Sequence, residues 1–176
     1  MKELKIVNYP DPVLLSVGKP IHDGDFGVSF EKTVEAMFSV MENAGGVGLA
    51  APQVGISKRF FVMDIPEDSE EGRDRERHVL INPEILSVEG EQIGEEGCLS
   101  FPGLYQTIKR EMRVIVKAQN QHGGEIELDL AGLAARCVLH ETDHCDGIVF
   151  LDRMTPLKRE LAKRKIKRLQ STGKWD

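Results

Sequence analysis

Nowhere in this chain do apolar residues run unbroken for the ~18 positions that a membrane-crossing helix requires. The opening stretch, MKELKIVNYPDP, has no apolar h-region and lacks the Arg- and Ser-rich character of a transit peptide, so no targeting segment is expected. A positive surplus is missing too. The formal net charge of -6 argues against sequence-specific nucleic acid binding as the main activity. Cysteine is scarce and odd in number. The three residues Cys98, Cys137 and Cys145, without a secretion signal, are expected to stay reduced. Internal repeats are absent, which excludes a solenoid. What remains is 176 residues, 40% hydrophobic and 30% charged, an ordinary globular composition for a single domain over residues 1–176 with a real core.

Residues 139–147 read LHETDHCDG, and His140, Glu141 and His144 form the pattern H-E-x-x-H. Helix positions four apart share a face, so both imidazoles can reach one metal ion, and Glu141 is placed to handle the proton of a water there. The lead-in DLAGLAARCVL over residues 129–139 suits a buried helix. Leu133, Cys137, His140 and His144 recur on one side of it, and Gly147 suits its end. Short motifs match by accident, and two ordinary helical histidines are the plain alternative.

Two further stretches change that balance: GVGLAAPQ over residues 46–53 and EGCLS over residues 96–100. With HETDH they supply a thiolate, two imidazoles, a carboxylate and a side-chain amide. In this order and at about these separations, the three motifs resemble those of the peptide deformylase family. YPDPVL, INPEI and GIVFLDR extend the likeness over most of the chain.

The resemblance implies an α+β domain with antiparallel or mixed sheets around a central metal-binding helix, followed by a C-terminal helix. It implies a bacterial, cytoplasmic hydrolase that removes the formyl group from the formyl-methionine end of nascent polypeptides and releases formate. Cys98, His140 and His144 would hold one divalent metal. Thiolate and imidazole suit zinc or ferrous iron, and composition does not choose between them. The family points to ferrous iron in the cell, with zinc, nickel or cobalt as replacements. Glu141 would be the base, and the Gln53 side-chain amide with the Leu99 backbone N–H would face the developing oxyanion. Gly48 would bind the substrate backbone through its main chain. Val47, Leu133 and Cys137 would line an apolar pocket for methionine. Asp143 is expected to support a ligand from behind, and Arg110 and Arg113 are both candidates to pair with Glu96 or Asp143. Leu139, Thr142 and Cys145 depart from the family pattern. None of the three is an expected ligand, base or donor.

Two other readings compete. A zincin-type metallopeptidase also uses H-E-x-x-H, but no third ligand follows at a zincin spacing and EGCLS would go unexplained. A non-catalytic protein with a structural metal would need a fourth closing Cys or His.

Elsewhere, Ser29 is a credible N-cap for a helix through Asn43 whose Phe30, Val34, Met37 and Met41 face the core. Strands are expected over residues 59–65, 78–86, 112–120 and 125–130, with Asn82 and Pro83 interrupting the second and QHGG turning the last two into a hairpin. Residues 46–55 carry too much Gly and Pro for a regular element, though an extended backbone there could pair with a peptide. Residues 66–77 read as a charged loop, and residues 87–103 as turns with short apolar pieces. The tail over residues 157–170 reads as a strongly basic helix with Leu157, Leu161, Ile166 and Leu169 as its apolar stripe. By the resemblance, this helix is a possible ribosome contact.

Overall fold

Strand β2 (Phe60–Pro66) has no solvent face along most of its length. Phe60 and Val62 join the core on one side of the sheet, Phe61 and Met63 the core on the other, as the two-residue period of a strand dictates. Around it lies a five-stranded sheet in the order β1 (Gly48–Ala50), β2, β3 (Arg75–Glu89), β6 (Arg113–Gln119) and β7 (Glu125–Ala131). All its ladders are antiparallel. Strands β4 (Gln92–Gly97) and β5 (Tyr105–Arg110) form a separate antiparallel hairpin. The computed structural model describes residues 3–66 and 75–175, and most of the charged loop expected over residues 66–77 lies outside them.

Helix α1 (Val28–Asn43) covers one face of the large sheet with Phe30, Val34, Met37 and Met41, the stripe read from sequence. Helix α2 (Gly132–Cys145) covers the other face with Ala135, Cys137, Val138 and Cys145. Its opposite side meets the β4–β5 hairpin, so α2 is buried nearly all round from Ala135 onward. A third core gathers Leu14, Phe101, Leu104, Ile108, Phe150 and Ile166 beneath α3 (Pro156–Ser171). The architecture is the expected α+β arrangement around a central helix. No helix among the described residues is long and apolar enough to cross a membrane.

Several local expectations need correction. Gly27, not Ser29, occupies the N-cap of α1, and its φ of 126° is one a side chain would resist. The lead-in to the histidine helix is strand as far as Ala131. Ile126, Leu128 and Leu130 keep the two-residue period, and Gly132 at φ 58° makes the corner. Asn82 and Pro83 do not end β3. The strand absorbs them as a register shift, and the Asn82 amide bonds both the N–H and the carbonyl of Ile21. The turn-rich stretch over residues 87–103 contains β4, whose polar residues hide its strand character until β5 pairs with it. In α3 the inward residues are Ala162 and Ile166, with Leu169 partly buried, whereas Leu157 and Leu161 are 72% and 56% exposed.

Candidate metal centre and substrate cleft

The α2 geometry brings His140 and His144 one turn apart, with ring centroids 4.9 Å from each other. The turn after β4 adds Cys98, whose Sγ lies 3.2 Å from His144 Nε2. One ligand atom from each of the three falls within 4.8 Å of the others, and these are the only such group among the described residues. That spacing fits a single ion bound by one thiolate and two imidazoles. Cys137 and Cys145 lie outside the group, so the described residues offer three ligands, the number of a catalytic site rather than the four of a closed structural one.

The two imidazoles differ in how they are held. His140 Nδ1 is 2.6 Å from Glu96 Oε1, which leaves Nε2 free to face the ligand cluster. His144 Nδ1 is buried with no hydrogen-bond partner. Burial lowers the His140 pKa, but hydrogen bonds that its ring donates to Cys98 and Glu96 outweigh it and raise the group well above its ordinary value. Burial and the His140 charge push His144 well below. A bound divalent ion would require both rings neutral.

The choice between Arg110 and Arg113 is now settled in geometry. Arg110, buried on β5, bonds Glu96 through Nε and Nη2 and Asp143 Oδ2 through Nη1 at 2.6 Å. Arg113 pairs instead with Asp129 on the surface. Two residues that sequence reading missed complete the network. Arg136 donates to Glu96 Oε2 at 2.9 Å, and Arg153 bonds both Asp143 oxygens. Burial alone would raise the Glu96 carboxyl. Hydrogen bonds from His140 and Arg110 prevail and hold it well below the usual carboxylate range. Arg136 sits four residues before His140 on one helix face, and that spacing was its only signal in the sequence.

A cleft of about 510 Å³ opens over this centre. Its lining includes every expected pocket residue, Val47, Gly48, Leu133 and Cys137, together with Gln53, Cys98, Leu99, His140 and Glu141. Leu133 is half exposed toward solvent, so it forms rim rather than floor. The glycines of the first motif are spacing devices. A Cβ on Gly48 would lie 2.6 Å from Cys137 Sγ and 2.7 Å from Glu141 Oε1. One on Gly46 would lie 2.7 Å from Leu99 Cδ1. The Gln53 amide is oriented by the end of β1: Ala50 N–H donates to Oε1 at 2.8 Å, which turns Nε2 toward Cys98 Sγ, 3.5 Å away. Glu141 is buried beside the imidazoles, with Oε2 unpartnered. Burial pushes its carboxyl up to about 7, the His140 charge opposing and the Glu96 charge adding.

A thiolate–imidazole site on an H-E-x-x-H helix, with a carboxylate and an open cleft beside it, defines a mononuclear metallohydrolase. Residues 3–160 match the Polypeptide deformylase family. A peptide deformylase of Thermodesulfovibrio yellowstonii is 46% identical over 167 residues, 95% of this chain and 98% of that protein. The crystal structure of the Legionella pneumophila peptide deformylase is 44% identical, with a TM-score of 0.83 over 96% of this chain and 97% of its own. The Ehrlichia chaffeensis peptide deformylase is 35% identical, with a TM-score of 0.87 over 97% and 98%. The chain belongs to the peptide deformylase family.

Proposed function

We propose that this chain removes the formyl group from formyl-methionyl peptides, releasing formate and a free amino terminus. The observation that supports it most is the joining of Cys98, His140 and His144 under a cleft lined by Glu141, Gln53 and Leu99. Cys98, His140 and His144 would hold one divalent ion, ferrous iron in the cell, with zinc, nickel or cobalt able to replace it. When bound, that ion acts as a Lewis acid and makes a water nucleophilic near neutral pH.

The chain's own residues do the rest. Glu141, with a carboxyl raised toward neutrality, accepts the proton of the attacking water and returns it to the departing amine. Gln53 Nε2 and the Leu99 N–H donate to the oxygen that gains charge as the formyl carbon becomes tetrahedral. Gly48, on the edge strand β1, offers its main chain to the peptide. Val47 and Cys137 offer apolar surface to the methionine side chain, with Leu133 at the rim.

The test is formate release from a short formyl-Met peptide by chain purified without oxygen and loaded with ferrous iron or nickel. Turnover with formate as product is expected. Cleavage of internal peptide bonds without formate would instead favour a metallopeptidase.

The basic face of α3 and its exposed Leu157 and Leu161 also support a ribosome contact in the bacterial cytoplasm. Co-sedimentation with ribosomes is expected to weaken when Lys163, Arg164 and Lys167 are changed to Glu. Unchanged sedimentation at physiological salt would remove this contact.

A further inference from the structure

The arm over residues 7–9 and the tail at Trp175 meet beside Phe101, which lines the cleft. Helix α3 ends at Ser171, Gly173 turns the backbone at φ 64°, and the Lys174 N–H returns to the Leu169 carbonyl. This turn delivers Trp175, the only tryptophan of the chain, into the third core, where it is 4% exposed. Its indole Nε1–H donates to the Tyr9 carbonyl at 2.6 Å, and the Asn8 side-chain amide donates to the Trp175 carbonyl at 2.7 Å. The tail is therefore bonded to the N-terminal arm by both its side chain and its backbone.

That arm touches both segments given an oxyanion donor above. The Val7 N–H donates to the Gln53 carbonyl at 2.8 Å, and the Tyr9 N–H donates to the Ser100 carbonyl, next to Leu99, at 2.9 Å. The aromatic rings follow the same path. Trp175 meets Phe101 edge-on, at 6.0 Å between centroids, and Tyr9 stacks on Phe101 at 4.9 Å. Phe101 lines the cleft and, through its N–H, bonds the carbonyl of Cys98. Its far side packs against Phe150, which lies 6.3 Å from the His140 ring.

We propose that Trp175 is a positioning residue for the reaction: it clamps the arm over residues 7–9, which bridges Gln53 to Ser100 and so sets the separation of the two donors. The inference rests on the roles proposed above for Gln53 and Leu99. Its physical basis is that the two donor segments belong to different elements, and that their own side-chain link, Gln53 Nε2 to Cys98 Sγ, is long at 3.5 Å. Gln53 lies in a 3-10 turn after β1, and Leu99 lies in the turn after β4, in a different sheet. Oxyanion donors act only when they are held at the place where charge develops, and a loose brace lets both drift.

The test compares native chain with Trp175→Ala, Trp175→Phe and Asn8→Ala, each as full-length, metal-loaded protein well below its melting temperature. A donor drift of a fraction of an ångström is expected to lower kcat about tenfold in Trp175→Ala, with KM within about twofold of native. Trp175→Phe keeps the edge contact with Phe101 and loses only the bond to Tyr9, so it is expected to recover most of that kcat. Asn8→Ala leaves the packing intact, and a kcat drop of about threefold is expected from the lost bond to the tail. If Trp175→Ala does not fold, Asn8→Ala and Trp175→Phe decide the matter. A folded Trp175→Ala chain, or failing that an Asn8→Ala chain, with native kcat overturns the proposal. So does a loss that appears only in KM. Absence of formate release from the native chain would strike the proposed activity instead, since the clamp is read against native turnover.

Discussion

Glu141→Ala is expected to lower kcat for formate release by about 10²–10⁴-fold while the chain keeps its metal. Glu141 touches the imidazoles' surroundings but is not among the three grouped ligand residues. A mutant with full metal content and native turnover would remove it from the mechanism. The pH dependence follows from the same carboxyl. Only the anion can accept a proton, and burial pushes this group up to about 7. Below that pH, kcat/KM is expected to fall about tenfold per unit; the positive charge of a bound ion moves the limb to lower pH.

Stability carries the opposite sign from that of an ordinary paired carboxylate. The folded-state pKa of Glu141 is raised above its unfolded value, so ionisation is penalised in the folded chain. The Glu141 contribution to the stability of the metal-free chain therefore declines as pH rises from about 4.5 to about 7, and changes little above. Glu141→Gln, which cannot ionise, removes this penalty. In urea melts of metal-free protein the variant is expected to exceed native stability at pH 8 and to match it near pH 4. Equal stability at both values would mean that Glu141 is not desolvated as the structure has it.

Arg110→Leu is expected to be the most damaging change outside the ligands. It leaves Glu96 and Asp143, both buried, without their shared guanidinium. Breaking a buried pair from one side costs about 3–5 kcal/mol, and Arg136 and Arg153 offset part of it because each still bonds one of the carboxylates. Glu96 also orients the His140 ring, so metal affinity should fall about 10–100-fold in a chelator competition. Arg113→Leu is the control. Its partner Asp129 is exposed, so the loss is expected to be far smaller than for Arg110→Leu. Equal effects of the two substitutions in urea melts would contradict the assignment of Arg110 as the buried partner.

The site was legible in sequence wherever its chemistry is local. H-E-x-x-H places two imidazoles by helix period alone, and the glycines of GVGLAAPQ announce a close approach whose target they do not name. The α1 stripe was legible for the same reason, since Phe30, Val34, Met37 and Met41 are neighbours on one helix. Periodicity misled where two elements abut. Residues 129–131 carry residues that fit a helix, and the pairing of β7 with β6 holds them extended. It misled again in α3, where basic residues outnumber apolar ones and docking alone turned Ala162 and Ile166 inward.

By itself, then, the sequence determined which atoms could bind a metal, which carboxylate stands beside them, and which helices have a face to bury. Tertiary structure alone decided that Arg110 and not Arg113 lies under the site, that Arg136 and Arg153 join it, and that Trp175 reaches Tyr9 across 166 positions of chain. The physical reason is range. Helix and strand periods act over a few residues and leave a mark in the local pattern. A buried charge network or a clasp between termini depends on which surfaces the finished fold presses together, and either of two nearby arginines satisfies the local pattern equally well.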